Sequence, residues 1–302
     1  MLIIKKFAAI DIGSNAVRLL IANIIEETKK PVRFKKSSLV RVPIRLGADV
    51  FIDHHISLEN EVRLIDTMQA FKLLMQAHGV ERYKACATSA MREAVNGNEV
   101  AKKVLSKTGI DIDVIDGDEE AAIIAATDIG NYIHPDKIYL YVDVGGGSTE
   151  FSIIHKGEKV ASKSFRIGTV RLLNDIVKHE TWVELEDWIK VNTDNYDHVE
   201  VIGSGGNINK IYKLSGKTIG EPLTYFYLSS YYYTLNSYTY EERITELDLN
   251  QDRADVIIPA MRIYLSAMKW SNAKHIFVPK IGLSDGIIKS LYYETVSSKT
   301  LA

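Results

Sequence analysis

The chain has 302 residues, 25% of them charged, and a formal net charge of −2. That length predicts about two domains, and the near-neutral balance excludes a protein that coats nucleic acid through its overall charge, so any site for a polyanion must be local. A single cysteine, Cys86, excludes an intrachain disulfide and a metal site made of cysteines alone, and in the apolar run "YKACAT" it reads as a small core residue.

The opening "MLIIKKFAAI" meets Asp11 before it reaches the length of a signal-peptide core, and no stretch approaches the roughly 20 apolar residues of a membrane span. A cytoplasmic protein with no membrane or nucleic-acid partner is therefore expected. From Phe7, "FAAIDIGSNAVRLLIA" reads as a strand, a tight turn and a returning strand, and "PVRFKKSSLVRVPI" extends that sheet. Helical spacing predicts a helix from Leu58 to His78 that closes on Gly79. "YKACAT" is a short buried strand, "SAMREAVNGNEVAKKVLSKTG" a helix with a serine cap that stops at Gly109, "DIDVID" a strand and "DEEAAIIAATDIG" a helix.

The second half repeats the order. "KIYLYVDV", "TEFSIIH" and "KVASKSFRI" are strands, with helices near 169–177 and 182–193, and "HVEVIGSG" is a strand entering the helix "NINKIYKLSG". The helix "RADVIIPAMRIYLSAMKW", the strand "HIFVPK" and the helix "LSDGIIKSLYYETV" finish the chain. Strands alternating with helices predict an α/β architecture with helical faces on mixed sheets. The expected division is an N-terminal domain of residues 1–125 and a C-terminal domain of residues 126–302, packed around a shared cleft. Residues 225–240 hold seven tyrosines. They read as the aromatic stripe of a helix packed on its neighbours, or as a surface for a base or for a second copy in a homodimer.

Chemistry concentrates at three glycine turns. In Asp11-Ile12-Gly13-Ser14-Asn15 and in Asp143-Val144-Gly145-Gly146-Gly147-Ser148-Thr149-Glu150, a carboxylate ends a strand and the turn exposes backbone N–H groups, a geometry that binds phosphate. Three consecutive glycines are hard to order unless backbone must approach a ligand closely. The third turn, Gly203-Ser204-Gly205-Gly206-Asn207, leads a strand into a helix N-terminus that favours an anion. Gly13, Ser14, Asn15, Gly145, Gly146, Gly147, Ser148, Thr149, Gly205 and Gly206 are thus the candidate phosphate-binding residues.

Three such turns in this order resemble the actin, sugar-kinase and chaperone-ATPase superfamily. Within it the chain resembles the exopolyphosphatase and guanosine pentaphosphate phosphohydrolase (Ppx/GppA) family. The resemblance is carried by "AAIDIGSNAVRLLIA" from Ala8, "ATSAMREAVNG" from Ala87, "IDGDEEA" from Ile115, "VDVGGGSTEF" from Val142, "IGTVRL" from Ile167, "GSGGNINKI" from Gly203 and "RADVIIPAM" from Arg253. These ordered blocks span nearly the whole chain. The resemblance implies two ribonuclease H-like domains of the actin-like superfamily with a central cleft, and a hydrolase of phosphoanhydrides.

Residue by residue, Glu120 matches the family's catalytic glutamate, the base for the attacking water, whereas Asp118 and Glu119 read as acidic complements of a helix N-terminus. Asp143 and Glu150 match acidic positions around a divalent ion, with Asp11 the symmetric candidate, and hard oxygen ligands suit Mg²⁺. Arg92 matches a family arginine near phosphate, and Arg18 is a weaker candidate. Lys163, Arg166, Arg171 and Lys210 either continue a basic track or are solvated surface charges. The implied substrate is inorganic polyphosphate or guanosine pentaphosphate. An actin-fold kinase and a non-catalytic alarmone-binding protein are the readings from other classes.

The chain departs from the family at Pro279-Lys280, where the family carries a Ser-Asp pair, and no role is given to Pro279–Gly286. Asn207 and Ile208 also depart from the common pattern. Its end at Ala302 resembles the short two-domain form, for which short polyphosphate or a nucleotide with a 5′-triphosphate is the expected preference over very long chains. Asp53-His54-His55 spells the signature of another metal phosphoesterase family and is expected to be a chance match in a loop.

Overall fold

The computed structural model describes residues 1–125, 127, 134, 136–218 and 220–300. Two compact units are present, Met1–Thr127 with Gly282–Ala302, and Asp128–Ile281.

The first unit opens with β1 (Leu2–Ile12), β2 (Val17–Glu27) and β3 (Arg33–Val42), followed by α1 (Leu46–Asp53), α2 (Leu58–His78), β4 (Arg82–Ala87), α3 (Ser89–Glu93), α4 (Gly97–Thr108), β5 (Ile112–Val114) and α5 (Gly117–Ala125). Its sheet has the order β3-β2-β1-β4-β5. β1 pairs antiparallel with β2 and parallel with β4. The second unit contains β6 (Ile138–Val144), β7 (Thr149–His155), β8 (Glu158–Phe165), α6 (Thr169–Leu173), α7 (His179–Thr193), β9 (Val199–Ser204), α8 (Gly206–Leu214), β10 (Leu223–Thr224), α9 (Tyr225–Ser237), α10 (Tyr240–Thr245), α11 (Gln251–Ala254), α12 (Ile257–Trp270) and β11 (His275–Phe277). Its sheet order, β10-β11-β9-β6-β7-β8, repeats the first with one added edge strand. Each unit is thus a ribonuclease H-like sheet, three antiparallel strands joined to parallel ones.

The central strands read as continuous apolar runs because both faces are covered. Ile138, Leu140, Val142 and Phe151 belong to the second core with Tyr264, Met261 and Ala267 of α12, while Phe7, Ile10, Leu19 and Leu20 are buried in the first unit. α2 has the ends its sequence predicts. The Ser57 side chain accepts from the Asn60 amide at 3.3 Å, and Gly79 closes it in the left-handed conformation at φ 66°.

Three expectations change. The helix expected over 89–109 is broken between α3 and α4, because Asn96 exchanges two 2.9 Å hydrogen bonds with the backbone of Ile56 and the Val95 amide donates to the His54 carbonyl. The helix expected from Arg253 is broken before α12, whose first turn holds Pro259, a residue tolerated only there. The last helix, α13 (Leu283–Thr300), was read with the second domain, yet it lies in the first unit. Ile287, Ile288 and Tyr292 are buried on its inner face, and Lys36 on β3 pairs with Asp285 at 2.8 Å.

In the tyrosine-rich stretch, α9 buries Leu228 and Leu235 and packs Tyr227, Tyr231 and Tyr232 against the core, leaving Phe226 and Tyr233 exposed. Asp53 ends α1 and His54 is its left-handed cap. Among the described residues no three His, Cys, Asp or Glu side chains gather to hold a metal ion, and no helix is long and apolar enough to cross a membrane.

Candidate active site

Two hairpins of the same design carry the carboxylates. In the first unit, Asp11 on β1 faces Arg18 on β2, and the Gly13 amide closes the turn on the Ala16 carbonyl. In the second, Asp143 on β6 faces Glu150 on β7, and the Gly145 amide closes the turn on the Ser148 carbonyl. The row continues to Arg41 on β3 in the first unit and to Ser164 on β8 in the second.

In the second unit the Asp143–Glu150 register places two carboxylates on one face of the sheet, at the roughly 5 Å Cβ separation of directly opposed residues. Glu150 is buried, and its Oε1 accepts from Ser148 Oγ at 2.6 Å and Ser164 Oγ at 3.0 Å. Asp143 Oδ2 accepts from Ser204 Oγ at 3.1 Å, and the same hydroxyl lies 2.9 Å from the Ile281 carbonyl. Behind them Tyr264 donates to the Ser204 carbonyl. Burial, with the nearby Asp143 charge, holds the phenols of Tyr141 and Tyr264 well above their ordinary pKa. Neighbouring carboxylates repel and are hard oxygen donors. Such a pair suits a divalent cation that completes its shell with water and substrate oxygens, as Mg²⁺ does.

The triple-glycine turn connects those strands. Its carbonyls face α6, where Gly145 O accepts from Thr169 N at 3.0 Å, Gly146 O from Val170 N at 2.8 Å and Gly147 O from Arg171 Nε at 2.7 Å. The amides of Gly146, Gly147 and Ser148 have no acceptor among the described residues. Thr149 is fully buried and its hydroxyl donates to the Ile167 carbonyl at 2.5 Å, so that side chain is used inside the unit. At the third turn Gly205 has φ 121°, and a Cβ there would lie 2.9 Å from the Val144 carbonyl oxygen and 3.6 Å from Asp143 Oδ1. Only glycine lets this strand-to-helix turn close against the Asp143 hairpin. Gly206 then opens α8.

In the first unit Asp11 is buried and accepts from Arg18 Nη1 at 2.8 Å. Ser14 is buried too; its hydroxyl shares a 2.9 Å hydrogen bond with that of Ser89, and its carbonyl accepts from Gly47 N at 2.7 Å. The Asn15 carbonyl accepts from Arg45 N at 3.0 Å. Arg92 Nη1 donates to the Ile115 carbonyl at 2.7 Å, at the end of the strand that leads into α5.

α5 starts with a reciprocal cap. Asp116 Oδ1 accepts from the amides of Asp118 at 2.9 Å and Glu119 at 2.8 Å, and Glu119 Oε2 accepts from the Asp116 amide at 3.2 Å. Glu119 is therefore committed to the helix start, whereas Glu120, the next residue, is half-buried and stands outside the cap. The pattern Asp-x-x-Glu was a readable signal for this cap.

Of the four basic-track candidates, Lys163 pairs with Glu184 at 2.7 Å and Lys210 Nζ donates to the Asp248 carbonyl at 3.0 Å. Arg166 is exposed. Arg171 is 6% exposed, which corrects its reading as a solvated charge. Cys86 is buried, and desolvation pushes its thiol up to about 12. Ser164 and Tyr264 enter through register and tertiary packing rather than through any local motif, whereas Ser204 lies in the third glycine turn without having been assigned a role there.

A sequence model described as the Ppx/GppA phosphatase family matches residues 25–294. The chain belongs to the Ppx/GppA phosphatase family. It is 33% identical over 174 residues to exopolyphosphatase 2 of Mycobacterium tuberculosis, across 56% of this chain and 54% of that protein. It is 32% identical over 176 residues to a guanosine-5′-triphosphate,3′-diphosphate pyrophosphatase of Photobacterium profundum, across 57% of this chain and 33% of that protein. The chain thus matches about half, or a third, of the length of these curated relatives. Among solved structures, a Ppx/GppA family member from Aquifex aeolicus superposes with a TM-score of 0.75 at 26% identity, covering 97% of this chain and 99% of that one. The Ppx/GppA family is one of hydrolases, and six of the seven blocks lie within the matched residues, the first, from Ala8, preceding them.

Proposed function

We propose that this Ppx/GppA chain hydrolyses the terminal phosphoanhydride of inorganic polyphosphate and releases orthophosphate, with Mg²⁺ held by Asp143 and Glu150. The observation that carries this reading is the union, on one hairpin, of two adjacent carboxylates with the acceptor-free amides of Gly146 and Gly147. Amides attract a phosphate oxygen and carboxylates repel it. A turn combining both suits a cation and a phosphate together. When bound, the cation would neutralise charge on the transferring group and on the leaving oxygen.

The chain's own residues supply the rest. The Gly146, Gly147 and Ser148 amides hold phosphoryl oxygens, and Arg92 is the first unit's own phosphate-binding guanidinium. Glu120 takes the proton of the attacking water, since Glu119 serves the α5 cap. The serine hydroxyls of 148, 164 and 204 keep the carboxylates oriented.

Guanosine pentaphosphate is the second reading, favoured by the identity to the Photobacterium pyrophosphatase, and its 5′-terminal phosphate is joined by the same anhydride bond. Orthophosphate release from polyphosphate, guanosine pentaphosphate and ATP, with and without Mg²⁺, tests both. Faster turnover of polyphosphate supports the first reading and faster turnover of guanosine pentaphosphate the second. Release from neither, with tight nucleotide binding, would leave a binding protein.

A further inference from the structure

Three consecutive carbonyls of the phosphate turn are held from one side. Because each peptide unit is planar and trans, its N–H points opposite to its C=O. The carbonyl of Gly145 fixed by Thr169 N turns the Gly146 amide away from α6, and the carbonyl of Gly146 fixed by Val170 N does the same for Gly147. The carbonyl of Gly147 orients the Ser148 amide, and it is held by a side chain, Arg171 Nε, at 2.7 Å. The loop before α6 is seated on the turn itself, since a Cβ on Gly168 would collide with the Gly146 carbonyl.

We propose that Arg171 is a positioning residue for the phosphate turn. It touches no substrate. Its planar guanidinium pins the Gly147 carbonyl inward, so that the Ser148 amide joins those of Gly146 and Gly147 as a row of donors facing the same way. Its charge, 6% exposed and close behind the backbone, adds to the attraction that row exerts on an anion. A lysine keeps the charge without the flat fork that reaches a carbonyl through Nε, so the two contributions are separable.

This rests on the phosphate reading of the turn, and the experiment keeps the two apart. Pyrophosphate binding with Mg²⁺ is measured by calorimetry on the full chain, alongside kcat and KM for polyphosphate and guanosine pentaphosphate and the thermal midpoint. Arg171→Met is expected to weaken pyrophosphate binding and raise KM by about tenfold or more, the loss of a charge-assisted hydrogen bond, with kcat changed by less than about threefold. Arg171→Lys is expected to recover part of that loss.

A folded Arg171→Met that binds pyrophosphate like the wild type overturns the proposal, as does a variant that only lowers the thermal midpoint. Should Arg171→Met not fold, Arg171→Lys decides: wild-type pyrophosphate affinity in it overturns the pinning role. A wild-type protein that binds pyrophosphate but hydrolyses neither substrate removes the proposed reaction and leaves this proposal intact, whereas one that binds no pyrophosphate overturns both.

Discussion

Glu150 occupies in the second hairpin the position that Arg18 occupies in the first: each is the register partner of the aspartate next to the last residue of the preceding strand. The first unit therefore closes its aspartate into an ion pair, with Asp11 and Arg18 2.8 Å apart, while the second sets two carboxylates side by side. The repeated architecture thus carries different charge at the same position in the two units, an ion pair in the first and a carboxylate pair in the second. Replacing Glu150 with glutamine should raise the Mg²⁺ concentration for half-maximal turnover by about tenfold or more, with polyphosphate KM at saturating metal much less affected. An unchanged Mg²⁺ requirement would remove Glu150 from the cation site.

Glu119 and Glu120 are adjacent yet should fail differently. Glu119→Ala removes the acceptor of the Asp116 amide, while Asp116 Oδ1 keeps the amides of Asp118 and Glu119, and should lower stability by about 0.5–1 kcal/mol with turnover near normal. Glu120→Ala should abolish turnover while leaving pyrophosphate binding and the thermal midpoint nearly as in the wild type. Phosphate release and a melting curve on each variant check the pair, and full activity in Glu120→Ala would sink its role as the base.

The architecture was legible because each strand pair is an apolar run ended by an aspartate and a glycine turn, and because α2 carries both of its end signals, Ser57 and Gly79. The carboxylate candidates were legible for the same reason. What stayed hidden depends on contacts between distant segments. Asn96 breaks a helix by bonding Ile56, Ser164 and Ser204 reach the carboxylates only through register, and α13 has a helical pattern that does not name its partner. Arg171 looked like any charge in a polar stretch, and only the packing of α6 on the glycine turn buries it.

Ser204 offers one hydroxyl proton to two acceptors, Asp143 Oδ2 and the Ile281 carbonyl. Its support of Asp143 should appear as metal affinity rather than as fold stability. Ser204→Ala is expected to raise the half-saturating Mg²⁺ concentration by roughly tenfold, within the range for groups that orient a ligand from behind. Mg²⁺ titrations of activity check this, and an unshifted titration would assign the hydroxyl to the Ile281 segment alone.

Cys86 lies on β4 opposite Asp11, buried, with its thiol pushed up to about 12 by desolvation. The thiolate is the reactive form, so at pH 8 the native protein should resist iodoacetamide for hours and be alkylated within minutes in denaturant. Mass spectrometry of the intact chain reads the modification. Rapid labelling of folded protein would mean that the first sheet opens locally far more often than its buried core implies.

Gly286 of α13 lies tight against α5: a Cβ there would collide with the Ile123 carbonyl, one turn along from Glu120. Glycine inside a helix is unfavourable by roughly 0.5–1 kcal/mol relative to alanine, so its presence is explained by that contact rather than by helix propensity. Gly286→Ala must push the two helices apart, and α5 is a helix of nine residues whose start carries the proposed base. A displacement of about 1 Å at a reacting group is enough to lower turnover about a hundredfold. The expected result is a large fall in kcat with pyrophosphate affinity retained, because the phosphate turn belongs to the other unit. A loss confined to thermal stability, with kcat per folded molecule unchanged, would show that α13 supports the first unit without setting the position of Glu120.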